Sequence, residues 1–403
     1  VRVLFVSTWG SSCGIATYTE ELVAGSKDLW DSCVASPAEL GSGIRETPPV
    51  PSRQYWHHTS PILGQQLLQA VEDFQPDVVH IQHEPGLFSP LDVFISTVRA
   101  LKRRIPTVIT MHRTEWLGGW ESTAWVQDLG RYVDRIIVHT PEAWSSVTLF
   151  APNTVCIPHG TAPLAAGLRE RGLKILNAPP NLARLLSGEK RPVVCLIHGF
   201  LHHNKNVLYT IRAIAMAEAR RLCDPIVLII TGQAQEAFLP YLHKMLDITR
   251  LTVRTLVYPS FVKTCDVSNI FALADFGVLN TAKDLLATSG AVHVYAYNGV
   301  PLAVANRSIY QEAIRGGAVA FDVLQEDAYN RPSLQPFDGS TPTDSAVDVV
   351  AALASNPALR AYVRSSMVNW AKQTQWPIIA RQHLALYEQV IAERGDHGKE
   401  NGV

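Results

Sequence analysis

Residues 1–25 read VRVLFVSTWGSSCGIATYTEELVAG, and residues 192–215 read PVVCLIHGFLHHNKNVLYTIRAIA. Each opens with a β-branched apolar run, crosses a short turn containing glycine, and continues with apolar residues at helical spacing. In the first stretch Val1–Ser7 is the expected strand and Ile15–Gly25 the expected helix, with Ile15, Tyr18, Leu22 and Val23 on one stripe and Glu20 and Glu21 on the other face. In the second, Pro192–Gly199 is the strand, and Val207, Leu208, Ile211, Ile214 and Ala215 share a helix face. Short apolar strands that lead straight into helices are the units of parallel sheets, because a parallel neighbour is reached only through a long crossover.

The same rhythm extends outward from both stretches. Val78–His83, Thr107–His112, Arg135–Thr140 and Thr154–His159 read as buried parallel strands, and Leu91–Arg104 as a helix that ends in Lys102, Arg103 and Arg104 before Pro106. Residues 161–191 contain no strand run and carry Pro-Pro and Ser-Gly punctuation, so the domain boundary is expected there. Beyond it, Pro225–Gly232, Leu251–Tyr258, Phe276–Thr281, Pro301–Asn306 and Ala318–Val323 repeat the strand pattern. Residues 324–350 are polar and rich in proline, a loop leading into a helix around Val347–Leu353. Trp376-Pro377 opens a last helix whose stripe is Ile379, Leu386, Tyr387 and Val390. Strands alternating with helices twice over predict two Rossmann-like α/β domains. The expected limits are 1–175 and 190–375, with a helix at 376–394 packing back on the first domain and a disordered tail at 395–403.

Composition narrows the functional classes. The chain has 403 residues, 47% hydrophobic and 18% charged, enough for full cores and too apolar for a disordered protein. A formal net charge of -1 gives no global footprint for nucleic acid or membrane. Six scattered cysteines without a CxxC pair read as reduced thiols, and with no signal-peptide pattern the expected location is cytoplasmic. No apolar run is long enough for a membrane span. Lys102, Arg103 and Arg104 read first as the basic end of a helix, and leave peripheral contact with a membrane surface or phosphates open.

Ligands of open parallel sheets bind beyond the carboxyl ends of the strands, so the segments after each strand carry the chemistry. Ser7–Ile15 offers Gly10, Gly14 and a helix N-terminus suited to phosphate, although it is neither GxGxxG nor a Walker loop. His80 and His83 are three apart on a strand and therefore face opposite sides, which argues against a shared metal ion; no metal site is expected. Glu84, just past that strand, can meet sugar hydroxyls, and His112 ends the next strand. Lys205 follows the first strand of the second half and can reach a diphosphate, whereas His202 and His203 read as loop residues. Asp284, Thr288, Ser289 and Gly290 lie between a strand and a helix; Ser289 is the expected N-cap, and the amides near Gly290 form a second anion site. There is no GxSxG elbow and no kinase signature set.

Taken together, GIATYTEEL, PDVVHIQHEPGLF, the TMH strand end, VCIPHG, HGFLHHNKN, LADFGVLN, TSGAVHVYAYNGVPLAV and the closing W-x-x-I-A-x-x-x-L-x-x-Y resemble a family 4 glycosyltransferase of the GT-B fold, over residues 1 to about 392. The resemblance implies two Rossmann-like domains facing across a deep cleft. It also implies retaining transfer of a hexose from a UDP- or GDP-sugar to a hydroxyl acceptor, without a metal or other cofactor. The acceptor class (glycan, lipid, small molecule or modified nucleic-acid base) is left open. By the same resemblance Gly14 faces the donor diphosphate, Lys205 binds phosphate, Ser289 and Gly290 supply backbone amides, His112 sits near the transferred sugar, and Glu84 lies on the acceptor side. The sequence departs from the family at Phe200, where an Arg is usual, and at Leu286 and Val294, where two glutamates are usual; Asp284 is the nearest acid. An NDP-sugar epimerase of the same fold, or a silent nucleotide-sugar-binding protein, are the alternative readings.

Overall fold

The computed structural model describes residues 1–38, 47–114, 120–188, 190–281, 287–323 and 341–400. They form two compact units. Unit 1 takes the described residues of 1–160 with 287–290 and 374–400; unit 2 takes those of 161–281, 291–323 and 341–373.

Unit 1 holds seven strands: β1 Arg2–Val6, β2 Asp31–Pro37, β3 Ser52–Trp56, β4 Val78–His83, β5 Thr107–Met111, β6 Arg135–Val138 and β7 Thr154–Cys156. Their order is β3-β2-β1-β4-β5-β6-β7, and every pairing is parallel. The period of two sorts side chains onto two faces. Leu4, Val6, Val79, Ile81, Ile109, Ile136 and Val138 join one core, with Leu67 and Phe94 from the helices Leu63–Phe74 and Leu91–Lys102. Val3, Phe5, Val78, Val108 and Ile137 join the other. That second core is covered by Tyr18, Leu22 and Val23 of the helix Gly14–Gly25 and by Trp376, Ile379, Leu386, Tyr387 and Val390 of the helix Trp376–Glu400.

Unit 2 repeats the scheme with β8 Val194–His198, β9 Val227–Thr231, β10 Thr255–Tyr258, β11 Phe276–Leu279, β12 Leu302–Ala305 and β13 Val319–Phe321. The order is β10-β9-β8-β11-β12-β13, again all parallel. The bidentate Arg191–Asp275 pair, at 2.6 and 2.7 Å, closes the start of this sheet, where Asp275 also accepts from the Val194 amide. Among the described residues no helix is long and apolar enough to cross a membrane. All six cysteines are free; Cys33 and Cys195 are buried and Cys156 and Cys265 exposed.

Several sequence expectations are corrected. β2 (DSCVASP) and β3 (SRQYW) were not foreseen: one mixes small and polar residues, and the other is a largely exposed edge strand. Residues 161–175, expected in the first domain, belong to unit 2, where the Leu168 amide donates to Asn269 Oδ1 and Gly172 packs on the Asn269 backbone. The tail expected to be disordered from 395 continues the last helix to Glu400. Glu20 and Glu21, on the face away from the apolar stripe, are both tied to the protein. Glu20 is buried and accepts from the Gly10 amide at 3.0 Å, and Glu21 accepts from the Trp376 indole at 2.6 Å.

Candidate functional site

Each sheet has one place where the strand order reverses direction: between β1 and β4 in unit 1, and between β8 and β11 in unit 2. Crevices for ligands open at such points, beyond the carboxyl ends of the flanking strands. The segments after β1 and β4, and after β8 and β11, are therefore where a built site belongs. They contain most of the residues singled out in the sequence.

In unit 1, the turn after β1 leads through Cys13 into the helix Gly14–Gly25, whose first-turn amides have no acceptor within the helix. Among the described residues the space around Gly14 is open: a methyl group there would meet nothing within 4 Å. One turn on, the Tyr18 ring is enclosed by His112, His139, His159 and Trp376, with centroids 4.8 to 5.2 Å away. After β4, Glu84 accepts from the Gly86 amide at 2.7 Å and pairs with Arg113 at 3.1 Å. His112, directly after β5, is partly exposed, and its Nε2 lies 2.8 Å from Gln82 Oε1. Burial of the ring, then the neighbouring His139 and His83, hold the imidazole well below its usual range and keep it neutral. Arg113 forms an antiparallel bridge with Ala287, and Gly290 lies beside the His159 ring. Ser289 immediately precedes the helix Gly290–Tyr297. Gly14, Glu84, His112 and Thr288–Gly290 thus gather in one unit around Tyr18 and Arg113.

In unit 2, β8 ends at His198. Its Nδ1 lies 2.9 Å from Thr231 Oγ1, and its backbone N–H donates to the Tyr295 phenol. Burial pushes this imidazole down to about 4. The backbones of Gly199 and Gly232 touch here. Gly232 has a φ of 134°, and a Cβ on it would overlap the Gly199 carbonyl oxygen. The turn continues through His202 into a short 3-10 segment, His203–Lys205, and the helix Val207–Ala219. Lys205 is half-buried, and among the described residues no carboxylate lies within ion-pair distance of it. Desolvation lowers the pKa of its ammonium. A partly desolvated cation without a counter-charge favours an anionic neighbour.

After β11, Thr281 donates to the Asn204 carbonyl at 3.0 Å and so ties the two sides of the reversal together. Its neighbour Asn280 is buried, with neither amide atom bonded among the described residues. Asn280 was not foreseen, because in LADFGVLN it reads as one more strand residue. Arg113, Gln82 and Tyr18 were also missed; only Tyr18 carried a signal, as a core residue of the first helix.

His80 and His83 do face opposite sides of β4: His80 packs on Phe5 and Tyr387, His83 on Phe88, Phe94 and Trp125. Lys102 is occupied by the protein itself, donating to the Arg131 and Val133 carbonyls that end a neighbouring helix. Asp284 and Leu286 lie outside the described residues.

Two parallel Rossmann-like sheets in one chain, each with one reversal of strand order, are the architecture of the GT-B fold. Residues 13–148 match the family model of the glycosyl transferase 4-like domain, so the chain carries that domain in its N-terminal part. Solved structures share the fold over nearly the whole length. HepE from Anabaena, in complex with UDP and glucose, is 14% identical with a TM-score of 0.69, covering 96% of this chain and 99% of that one. Sucrose-phosphate synthase from Thermosynechococcus elongatus is 14% identical with a TM-score of 0.68, covering 97% and 99%. A UDP-forming α,α-trehalose-phosphate synthase from Burkholderia xenovorans, in complex with glucose-6-phosphate, is 12% identical with a TM-score of 0.68, covering 96% and 100%. No curated protein matches the chain in sequence.

Proposed function

We propose that the protein transfers a hexose from a uridine diphosphate sugar to a hydroxyl acceptor, with retention of anomeric configuration and without a resident metal. The observation that carries this reading is Lys205, a partly desolvated cation with no carboxylate partner among the described residues, at the β8–β11 reversal of a GT-B fold. The choice of uridine follows the solved relatives: the HepE structures contain UDP or UDP-glucose, and the trehalose-phosphate synthase is described as UDP-forming.

In this reading the acceptor oxygen bonds to the anomeric carbon as the bond from that carbon to the diphosphate oxygen breaks. The acceptor proton passes to the departing phosphate oxygen, and the products are a glycoside and UDP. Charge grows on the diphosphate, so donors fixed in advance lower the barrier most. Lys205 supplies one; the first-turn amides of the helix Gly290–Tyr297 are the others. Phe200 stands where the family has an Arg, so these amides carry a larger share. His112 contacts the sugar, and Glu84, held by Arg113, contacts the acceptor.

The test is UDP release from UDP-glucose across a panel of hydroxyl acceptors, with the product's anomeric configuration read by NMR. Acceptor-dependent release with retained configuration is expected, reduced by a large factor in Lys205→Ala and His112→Ala. An epimerised donor formed without acceptor, or UDP binding with no turnover on any acceptor, would replace the reading with one of its two rivals.

A further inference from the structure

β4 and β5 are adjacent and parallel, with His80 opposite Val108 and Gln82 opposite Thr110. His80 and Gln82 are two apart on one strand, and Thr110 and His112 two apart along the next stretch of chain. All four side chains therefore point to the same face of the sheet. That face is the one covered by the helix Trp376–Glu400. The side chains form a continuous chain of hydrogen bonds. His112 Nε2 is 2.8 Å from Gln82 Oε1, and Gln82 Nε2 is 3.2 Å from His80 Nε2. His80 Nε2 is also 2.7 Å from Thr110 Oγ1, and His80 Nδ1 is 2.6 Å from the Tyr387 phenol oxygen.

Each contact restricts the next. A Gln side chain has one face that only donates and one that only accepts. Its amide nitrogen is turned to His80 Nε2, which also lies within reach of the Thr110 hydroxyl. That nitrogen therefore accepts, and the His80 proton sits on Nδ1 and is donated to Tyr387. The remaining end of Gln82, its carbonyl oxygen, can only accept, so His112 must carry its proton on Nε2. Among the described residues nothing bonds to His112 Nδ1, which is left with a lone pair.

We infer that Gln82, oriented by His80 and Tyr387, is a positioning residue that locks His112 in the Nε2–H tautomer, so that Nδ1 meets the sugar as a hydrogen-bond acceptor for one of its hydroxyl groups. This rests on the reading of His112 as a sugar-contacting residue. It adds the state in which His112 acts, and it assigns the C-terminal helix a part in the site of unit 1 through Tyr387. Outer partners of this kind fix the tautomer and ring orientation of functional histidines elsewhere.

The experiment is long-range proton–nitrogen correlation NMR on the full chain with nitrogen-labelled histidine, the His112 signals being assigned by their loss in His112→Gln. Wild type should show a single His112 tautomer with a protonated Nε2 and an unprotonated Nδ1. Gln82→Met, close in volume, should release His112 into a mixture of tautomers. With UDP-glucose as donor, that variant should lose about ten- to a hundredfold in kcat, with little change in donor KM. Tyr387→Phe removes one oxygen and leaves the packing. It should disturb the His80 tautomer and lower kcat less than Gln82→Met does. A wild-type His112 protonated on Nδ1, the pattern with every proton reversed, would overturn the inference, as would a Gln82→Met variant with the wild-type tautomer. If instead His112→Ala turned over at the wild-type rate while the lock was seen, the lock would stand and the proposed role of His112 would fall, so the two claims fail separately.

Discussion

The Tyr387 phenol lies 2.6 Å from His80 Nδ1, across 307 residues of sequence. The contact joins the last helix to the middle of the unit 1 sheet, and both groups are buried. Burial first, then the neighbouring His383, His112 and His139, hold His80 neutral. The last helix is therefore part of unit 1 energetically as well as spatially.

A neutral buried histidine makes the fold sensitive to acid. His83 is the cleanest case: burial pushes it down to about 3 from an ordinary 6.5. Between those values the unfolded chain binds a proton that the folded chain does not. Stability is full above pH 6.5 and falls as the pH drops toward the folded value. His83 alone should cost about 2 kcal/mol at pH 5 relative to neutral pH. Urea denaturation across that range measures it; a midpoint that is flat from neutral pH to pH 5 would contradict the prediction.

His83 sits among Phe88, Phe94 and Trp125, with neither ring nitrogen hydrogen-bonded among the described residues. An unsatisfied buried polar group costs about 1–3 kcal/mol. His83→Leu, similar in volume, should raise stability at neutral pH by about 1 kcal/mol and flatten part of the acid loss. Lower stability in this variant, measured by the same urea titration, would mean that the imidazole has a partner not accounted for.

Lys205 should behave oppositely in the free and ligand-bound protein. Its ammonium is desolvated without a carboxylate partner among the described residues, so Lys205→Met should leave the Tm of the free protein unchanged or higher. A Tm several degrees lower would show that Lys205 serves the fold instead.

Gly232→Ala tests the close approach at the end of β9. The new methyl would meet the Gly199 carbonyl, and the φ of 134° disfavours any side chain. A loss of about 1–3 kcal/mol is expected by urea unfolding, together with weaker UDP binding as the β8 turn shifts. Wild-type behaviour on both measures would mean that the turn relaxes freely.

The two-sheet architecture was legible because buried parallel strands are uniformly apolar: VRVLFV and VVCLIH cannot easily be anything else. β3 was not, because SRQYW is an exposed edge strand with no apolar run to betray it. Periodicity put Glu20 and Glu21 off the apolar stripe and could not name their partners, since helical spacing says nothing about a turn or a distant Trp376 folding back to meet them. Gly14, Glu84, His112 and Lys205 were singled out from their places after strands, a rule of topology that sequence order alone supports. The side chains that orient them were hidden. The period of two puts His80 and Gln82 on one face, but only the strand order sets β5 beside them, and only the fold sets Tyr387 over them. Asn280 gave no sign at all, because burial without a partner is a property of the packed structure.

Calorimetric titration of UDP into the wild-type protein and into Lys205→Met goes most directly to the claim that unit 2 grips a nucleoside diphosphate. Saturable binding by wild type, weakened at least tenfold in the variant, is the expected result, one factor of ten corresponding to about 1.4 kcal/mol. No UDP binding by wild type, or equal affinity in the two proteins, would contradict it.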